Sequence, residues 1–384
     1  MSAFIYDAVR TPRGKARPDG GLAALKPQEL VSGLIGAIGE RTDGPVKPDA
    51  LVVGAVGQIG AQGGNIALVS KLHAKLPDET AAFTLNNYCV SGLTAIGQAA
   101  AMVKSGQAKS VLAGGVEMMS RVPFMADNAD YYADASYDRR TRYIPVALAA
   151  DRLAEDIGVS RAELDQAALV SQQRTAAAEG TPLVASRIGL NGLNREECAR
   201  PATTLESLAA LAPAFPALAD QYRDALGDRV IDHRHTVSHA PPMADGAALA
   251  LVGGEGAGAK PRARVVAWAE AGGDPALSLT AGFTAMERAL GQTKLALSDL
   301  DRIEFMEAFG VTIVKFMRDY KPDPAKVNVG GGHMAKGHPM GATGAILLSS
   351  LLDALDASDG KYGLVVAAGA SGVGSAMIVE RLAR

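Results

Sequence analysis

Thr80-Ala-Ala-Phe-Thr-Leu-Asn-Asn-Tyr-Cys89-Val-Ser-Gly-Leu-Thr-Ala-Ile-Gly97 reads as a buried strand over 80–86 that turns into a glycine-containing helix beginning near Ser91. Cys89 sits at the junction. A thiol placed there is aimed at the unpaired backbone N–H groups of the helix start, which are expected to lower its pKa and make thiolate available near neutral pH. The stretch therefore predicts both an α/β architecture and a nucleophile.

Outward from Cys89, short apolar strands alternate with helices: strand 3–9, helix 27–41, strand 50–56, helix 64–75, strand 80–86, helix 91–105 and strand 109–115. That order predicts a layered α/β unit with a largely parallel sheet. A matching order returns near the end, with a helix at 280–291, the segment from Leu297 to Phe309, Val327-Asn-Val, a helix at 341–355 and a strand at 363–368. In both parts a reactive side chain precedes a helix of small residues and a strand ending in Ala-Gly follows, Cys89 before Ala113-Gly114 and His338 before Ala368-Gly369. An internal duplication is the expected cause. It would set Cys89 and His338 against each other across a pseudo-twofold axis. The units are then residues 1–119 as a first half, 120–244 as an inserted loop domain, 245–262 as a return strand and 263–384 as a second half.

The chain has 384 residues, 48% of them hydrophobic, so more than one compact unit is expected. A formal net charge of −3 disfavours nucleic acid or an anionic membrane as the main partner. The two cysteines, Cys89 and Cys198, make no disulfide framework, and a reducing compartment, the cytoplasm, is expected. The stretch Ser2–Pro12 reads as a strand and turn, and no export signal is expected. Apolar runs read as too short or too interrupted for a membrane helix.

Several segments together resemble the thiolase family. They are Asn86-Asn-Tyr-Cys89-Val-Ser-Gly-Leu, Gly114-Gly-Val-Glu-Met-Met-Ser120, Asp245-Gly-Ala-Ala and Gly337-His338-Pro-Met-Gly341-Ala-Thr-Gly344. Asp7-Ala-Val-Arg-Thr-Pro-Arg-Gly-Lys15 and Glu196-Glu-Cys-Ala-Arg-Pro-Ala-Thr-Thr-Leu extend the likeness, so that it covers essentially the whole chain. The resemblance implies a duplicated thiolase fold, a homodimer or homotetramer, and acyl transfer from coenzyme A thioesters without a permanently bound cofactor. It assigns Cys89 as the nucleophile and His338 as its base. Backbone N–H groups of Cys89 and Ala370 would serve as the oxyanion donors.

The departures are as informative as the matches. Ala368 stands where the family's second cysteine moves a proton, and alanine cannot do so. Met306 of Met306-Glu307-Ala308-Phe309 replaces the polar residue that orients an oxyanion-hole water. His333, His239 and Glu307 are the candidate auxiliary groups, although each histidine equally reads as structural. Pro241 replaces a serine offered to the coenzyme, and Val146-Ala147 replaces the usual Met-Gly. Arg139, Arg140 and Arg142, with Arg121, are the candidate phosphate contacts, and a solvated charged loop is the plainer alternative. Met306 is a further substrate-facing candidate. His233, His235 and His239 have a metal-like spacing without evident further ligands, and no metal is expected.

Three functions remain open at this point. One is carbon–carbon bond formation or cleavage on a 3-ketoacyl thioester with an atypical proton shuttle. Another is transfer of the Cys89 acyl group to a different small-molecule acceptor, the donor being coenzyme A or a carrier protein. The third is a non-catalytic subunit of a larger complex, with a pathway partner.

Overall fold

The computed structural model describes residues 1–258 and 260–383. Among these residues ten strands form one sheet: β1 (Phe4–Arg10), β2 (Gly14–Lys15), β3 (Ala50–Gly54), β4 (Ala81–Leu85), β5 (Ser110–Met118), β6 (Ala244–Gly253), β7 (Ala263–Gly272), β8 (Arg302–Phe305), β9 (Tyr362–Gly369) and β10 (Val373–Arg381). Their order is β4-β3-β5-β6-β1-β7-β10-β9-β8, with β2 on β6. The expectation of a largely parallel sheet is corrected. Only β3/β4, β3/β5 and β8/β9 are parallel, and the pairs made by β1, β6, β7 and β10 are antiparallel. Strands joined by helices run parallel, whereas returns through a turn or an insertion reverse direction. The strand before Cys89 is also not buried. It is the sheet edge, and Phe83 on it is 40% exposed.

The strand order repeats. β3, β5, β6 and β1 of the first half correspond to β8, β9, β10 and β7 of the second, and the counterpart of β4 shrinks to a single parallel bridge, Ile303 to Val327. The half-sheets meet only at β1 and β7, where Phe4 pairs with Arg264 and Ile5 with Ala263. Between them lie two helices, Ser91–Lys104 and Thr343–Ser358, in an apolar cluster that draws on both halves. Outer helices cover the far faces. Pro27–Arg41 is one of them; Pro27 opens it, Glu29 reaches back to the Lys26 N–H at 2.6 Å, and Leu30, Val31, Leu34, Ile35 and Ile38 recur at helical spacing on the buried side.

The two inner helices approach each other backbone to backbone. A Cβ on Gly92 would lie 2.8 Å from the Gly341 carbonyl oxygen, and one on Gly344 would lie 2.6 Å from Leu93 Cβ. Only glycine fits at those crossings. The stretch Met340–Ser358 is long and apolar enough to cross a membrane by composition, contrary to the sequence reading of its runs. Here it is buried within the protein, as the central helix of a core.

Between β5 and β6 the chain makes the excursion that carries the helices Val146–Asp156 and Arg161–Ala178. Between β9 and β10 the same connection is the three-residue turn Ala370–Gly372.

Candidate active site

Cys89 follows β4 on a strained turn. Tyr88 adopts φ +47°, a left-handed conformation that is costly for a bulky side chain. Local bonds hold it there: the Tyr88 N–H donates to Asn86 Oδ1 at 2.9 Å, the Asn87 N–H to Ser91 Oγ at 2.8 Å, and the Ser91 hydroxyl to the Tyr88 carbonyl at 2.6 Å. The N–H groups of Ala370 and of Cys89 itself point at the sulfur. Gly369 lets the β9 end pass close by, since a Cβ there would come within 3.2 Å of the Cys89 nitrogen.

His338 comes from the matching junction of the second half. Its N–H donates to the Pro242 carbonyl at 2.8 Å, and its Nδ1 lies 2.6 Å from Thr343 Oγ1, the first residue of the inner helix. With Nδ1–H donated to Thr343, Nε2 keeps its lone pair for a proton. Glu117 fastens this segment to the first half. Its carboxylate accepts from the N–H groups of Val56 at 2.9 Å, Gly57 at 3.0 Å and Gly341 at 2.9 Å, and from Gln62 Nε2 at 2.6 Å.

Cys89 and His338 line one cavity of about 890 Å³. Ala368, Ala370, Met306, Ala308 and Phe309 form a wall of it, and Phe124, Tyr132, Tyr143, Phe215, Leu218 and Tyr222 of the insertion form its roof. The helix start does not lower the Cys89 pKa in the free protein. Burial pushes the thiol up to about 12, and the nearby Glu117 charge adds to this, outweighing the backbone N–H groups of Ala370 and Cys89. Burial and the Arg13 charge bring His338 down to about 3. At neutral pH the resting pair is a thiol and a neutral imidazole, poised for transfer rather than already ionised.

The auxiliary candidates lie elsewhere. His239 is fully buried, with Nε2 at 2.7 Å from Asp165 and Nδ1 accepting the Thr236 N–H at 3.1 Å, and it faces away from the cavity that Ala240 and Pro241 line. His333 is likewise buried behind His338, at 6.0 Å between ring centroids, outside the cavity lining. Glu307 turns inward, accepting from the Ser171 hydroxyl at 2.8 Å and the Met334 N–H at 3.1 Å, while its neighbours Met306 and Ala308 face the cavity. His233 and His235 both bind Asp151, at 2.8 and 2.7 Å.

The arginine candidates are also displaced. Arg139 and Arg140 are exposed, and Arg142 spends its guanidinium on the carbonyls of Ala135, Tyr137 and Asp224, so none of the three lines the cavity. Arg121 is tied to the carbonyls of Ala23, Ala24 and Leu25. The arginines at the cavity are Arg17 and Arg200, which with Lys15 also line an adjoining depression of about 330 Å³. Sequence reasoning missed both, although the basic run Arg13-Gly-Lys-Ala-Arg17 and Arg200 within the Glu196 segment were visible signals.

The geometry is that of a cysteine acyl-transfer centre: a sulfur, a base on the opposing half, and backbone donors at the sulfur. Comparisons with known proteins agree with it. Residues 3–219 match the thiolase N-terminal domain and residues 259–381 the thiolase C-terminal domain. A beta-ketoadipyl-CoA thiolase of Acinetobacter baylyi is 34% identical, covering 99% of each chain. The steroid 3-ketoacyl-CoA thiolase FadA6 of Mycobacterium tuberculosis is 32% identical, covering 99% of this chain and 94% of its own, and an acetyl-CoA acetyltransferase of Escherichia coli is 33% identical over 99% of each. The crystal structure of human mitochondrial 3-ketoacyl-CoA thiolase superposes with a TM-score of 0.86 at 29% identity, covering 99% of both chains. On motif, fold and site alike, the chain belongs to the thiolase family.

Proposed function

We propose that this enzyme is a thiolase-type acyltransferase that takes an acyl group from a 3-ketoacyl-CoA onto Cys89 and passes it to coenzyme A, or runs that sequence in reverse. The observation that carries the reading is the convergence of Cys89, His338 and the Ala370 N–H on one cavity. His338 takes the thiol proton as the sulfur adds to the keto carbon, and the N–H groups of Cys89 and Ala370 receive the charge that forms on oxygen. The proton shuttle is atypical. Ala368 and Met306, both facing the cavity, hold no exchangeable proton.

The coenzyme phosphates are assigned to Arg17 and Arg200, with Lys15 beside them, because their charged ends have no acidic partner among the described residues. A homo-oligomer is proposed from the edge strand β4, which carries the exposed Phe83 and packs against the helix Ile66–His73 with its exposed Leu68 and Leu72. A cytoplasmic setting fits the two free cysteines.

The test is intact-protein mass spectrometry after mixing wild type and Cys89→Ala with acetyl-CoA, longer acyl-CoAs and 3-ketoacyl-CoAs. An acyl adduct on wild type alone, lost on addition of coenzyme A, is the expected result. An adduct that persists with coenzyme A but leaves with another acceptor overturns carbon–carbon chemistry in favour of transfer to that acceptor. No adduct with any donor overturns the reading.

A further inference from the structure

The thiolase-type reading leaves one chemical requirement unmet, a group that holds a proton at the reacting α-carbon. The titratable side chains that line the cavity, besides Cys89, His338 and the two arginines Arg17 and Arg200, are Glu117, Asp127 and four tyrosines, Tyr88, Tyr132, Tyr143 and Tyr222. Glu117 is spent on four donors that hold the site together. Tyr132 donates to Asp127 at 3.1 Å, which occupies both. Tyr88 is engaged with Ser371. Tyr222 also lines a neighbouring depression with Met125, Asn128 and Asp130, which Tyr143 does not.

Tyr143 is only 4% exposed, yet its hydroxyl has no oxygen or nitrogen partner; its one contact is Met125 Sδ at 4.0 Å, at the limit for a weak acceptor. A buried phenol normally finds a better partner. Its ring is fixed by the neighbouring rings of Tyr131, Tyr132 and Tyr222, with centroids at 5.8, 4.9 and 6.1 Å. A positioned phenol with an uncommitted O–H thus lines the cavity that holds the nucleophile. Burial and the surrounding acidic groups, Cys89 among them, raise its pKa, so the proton stays on until a stronger base takes it.

The geometry points to Tyr143 as the proton-transferring residue that replaces the absent side-chain acid at Ala368, an assignment that rests on the thiolase-type reading above. In the cleavage direction, the Cys89 sulfur, its proton now on His338, adds to the 3-keto carbon. The C2–C3 bond breaks with its electron pair passing to C2, and the Tyr143 phenol proton moves to C2. Acetyl-CoA leaves and a phenolate remains. The phenolate then takes a proton from water, the incoming coenzyme A thiol gives its proton to the hydroxide so formed and adds as a thiolate to the acyl carbon, and the expelled Cys89 sulfur recovers a proton from His338.

The experiment compares wild type, Tyr143→Phe and Tyr143→Phe/Ala368→Cys in two assays, acyl-adduct formation on Cys89 from acetyl-CoA and exchange of the acetyl-CoA methyl protons in D₂O. Phe keeps the ring packing, and adduct formation reports that the fold and the nucleophile are intact. The expected result is adduct formation within about threefold of wild type, α-proton exchange down by about 10²- to 10⁴-fold, and partial recovery of exchange in the double variant. Exchange in Tyr143→Phe equal to wild type overturns the assignment, as does a loss of adduct and exchange by the same factor. If wild type forms the adduct but shows no exchange, Tyr143 has no such role while the acyl-transfer reading stands. If wild type forms no adduct, that reading fails and takes this one with it.

Discussion

The link from the third to the fourth strand is built in two ways in the two halves. After β9 the chain turns within Ala370–Gly372 and enters β10; after β5 it leaves the core and returns only at Ala244, the start of β6. The short link contributes rigid backbone, a single N–H pointed at the Cys89 sulfur. The long link contributes side chains, the aromatic roof of the cavity with Tyr143 in it. One position in a duplicated fold has thus been divided into fixed electrostatics on one side and cavity lining on the other. The replaced residues, Met306 and Ala368, belong to the short-link half, and the groups that remain to compensate stand across the cavity on the insertion.

The sharpest way to break this comparison is at the short link. Ala370→Pro deletes the N–H aimed at the sulfur, and acylation of Cys89 is expected to fall by about 10²- to 10³-fold. Rapid-quench mass spectrometry reads the rate, and a melting curve checks that the turn survives. An unchanged rate would remove Ala370 from the chemistry. Next in size is the cavity rim that Arg200 of the long link shares with Arg17, which follows β2. Arg17→Ala/Arg200→Ala is expected to raise KM for acyl-CoA by about 10- to 100-fold with kcat nearly unchanged, in keeping with charge-assisted bonds worth roughly 1.5–3 kcal/mol. The same double variant assayed with an acyl-pantetheine, which lacks the nucleotide phosphates, should show almost no effect.

The joint between halves comes third. Gly344→Ala places a methyl group against Leu93 and is expected to cost about 1–3 kcal/mol, read by denaturant unfolding, with activity lost only as folded protein is lost. The smallest effect is the most diagnostic for the thiol. Alkylation of substrate-free enzyme by iodoacetamide should keep accelerating as pH rises past 9, because burial holds the Cys89 thiol up near about 12. A plateau reached by pH 7 would mean that the helix start prevails over desolvation after all.

Much of this was legible in the chain. The local pattern placed the helix 27–41 to the residue, and the Cys89 and Gly-His-Pro segments located the two opposed side chains. Strand direction was not legible, because alternation of elements is the same whether a strand returns parallel or antiparallel. The Cys89 thiol was misjudged for a related reason: position relative to a helix start is written in the local sequence, but the burial that overrides it comes from remote residues. The same holds for His239, His333 and Glu307. Asp165, Ser171 and Met334 decide which way two of these side chains face, and no spacing rule connects them. Tyr143 was passed over because the inserted region is rich in tyrosine and nothing local distinguishes the one whose hydroxyl stays uncommitted.

The two residue pairs that join β1 to β7 also bear on how the molecule is made. Synthesis delivers Cys89 with the first half and its turn, while His338 and the Ala370 N–H emerge only near the end. With so narrow a seam, each half-sheet has its own strand pairing and outer helix, and the central helices are what lock the halves together. A nascent chain therefore carries its sulfur as an ordinary thiol among cellular thioesters, without its base or the Ala370 oxyanion donor, until the last helix docks. Reactivity is in that sense a property of the finished molecule, switched on by completion of the fold.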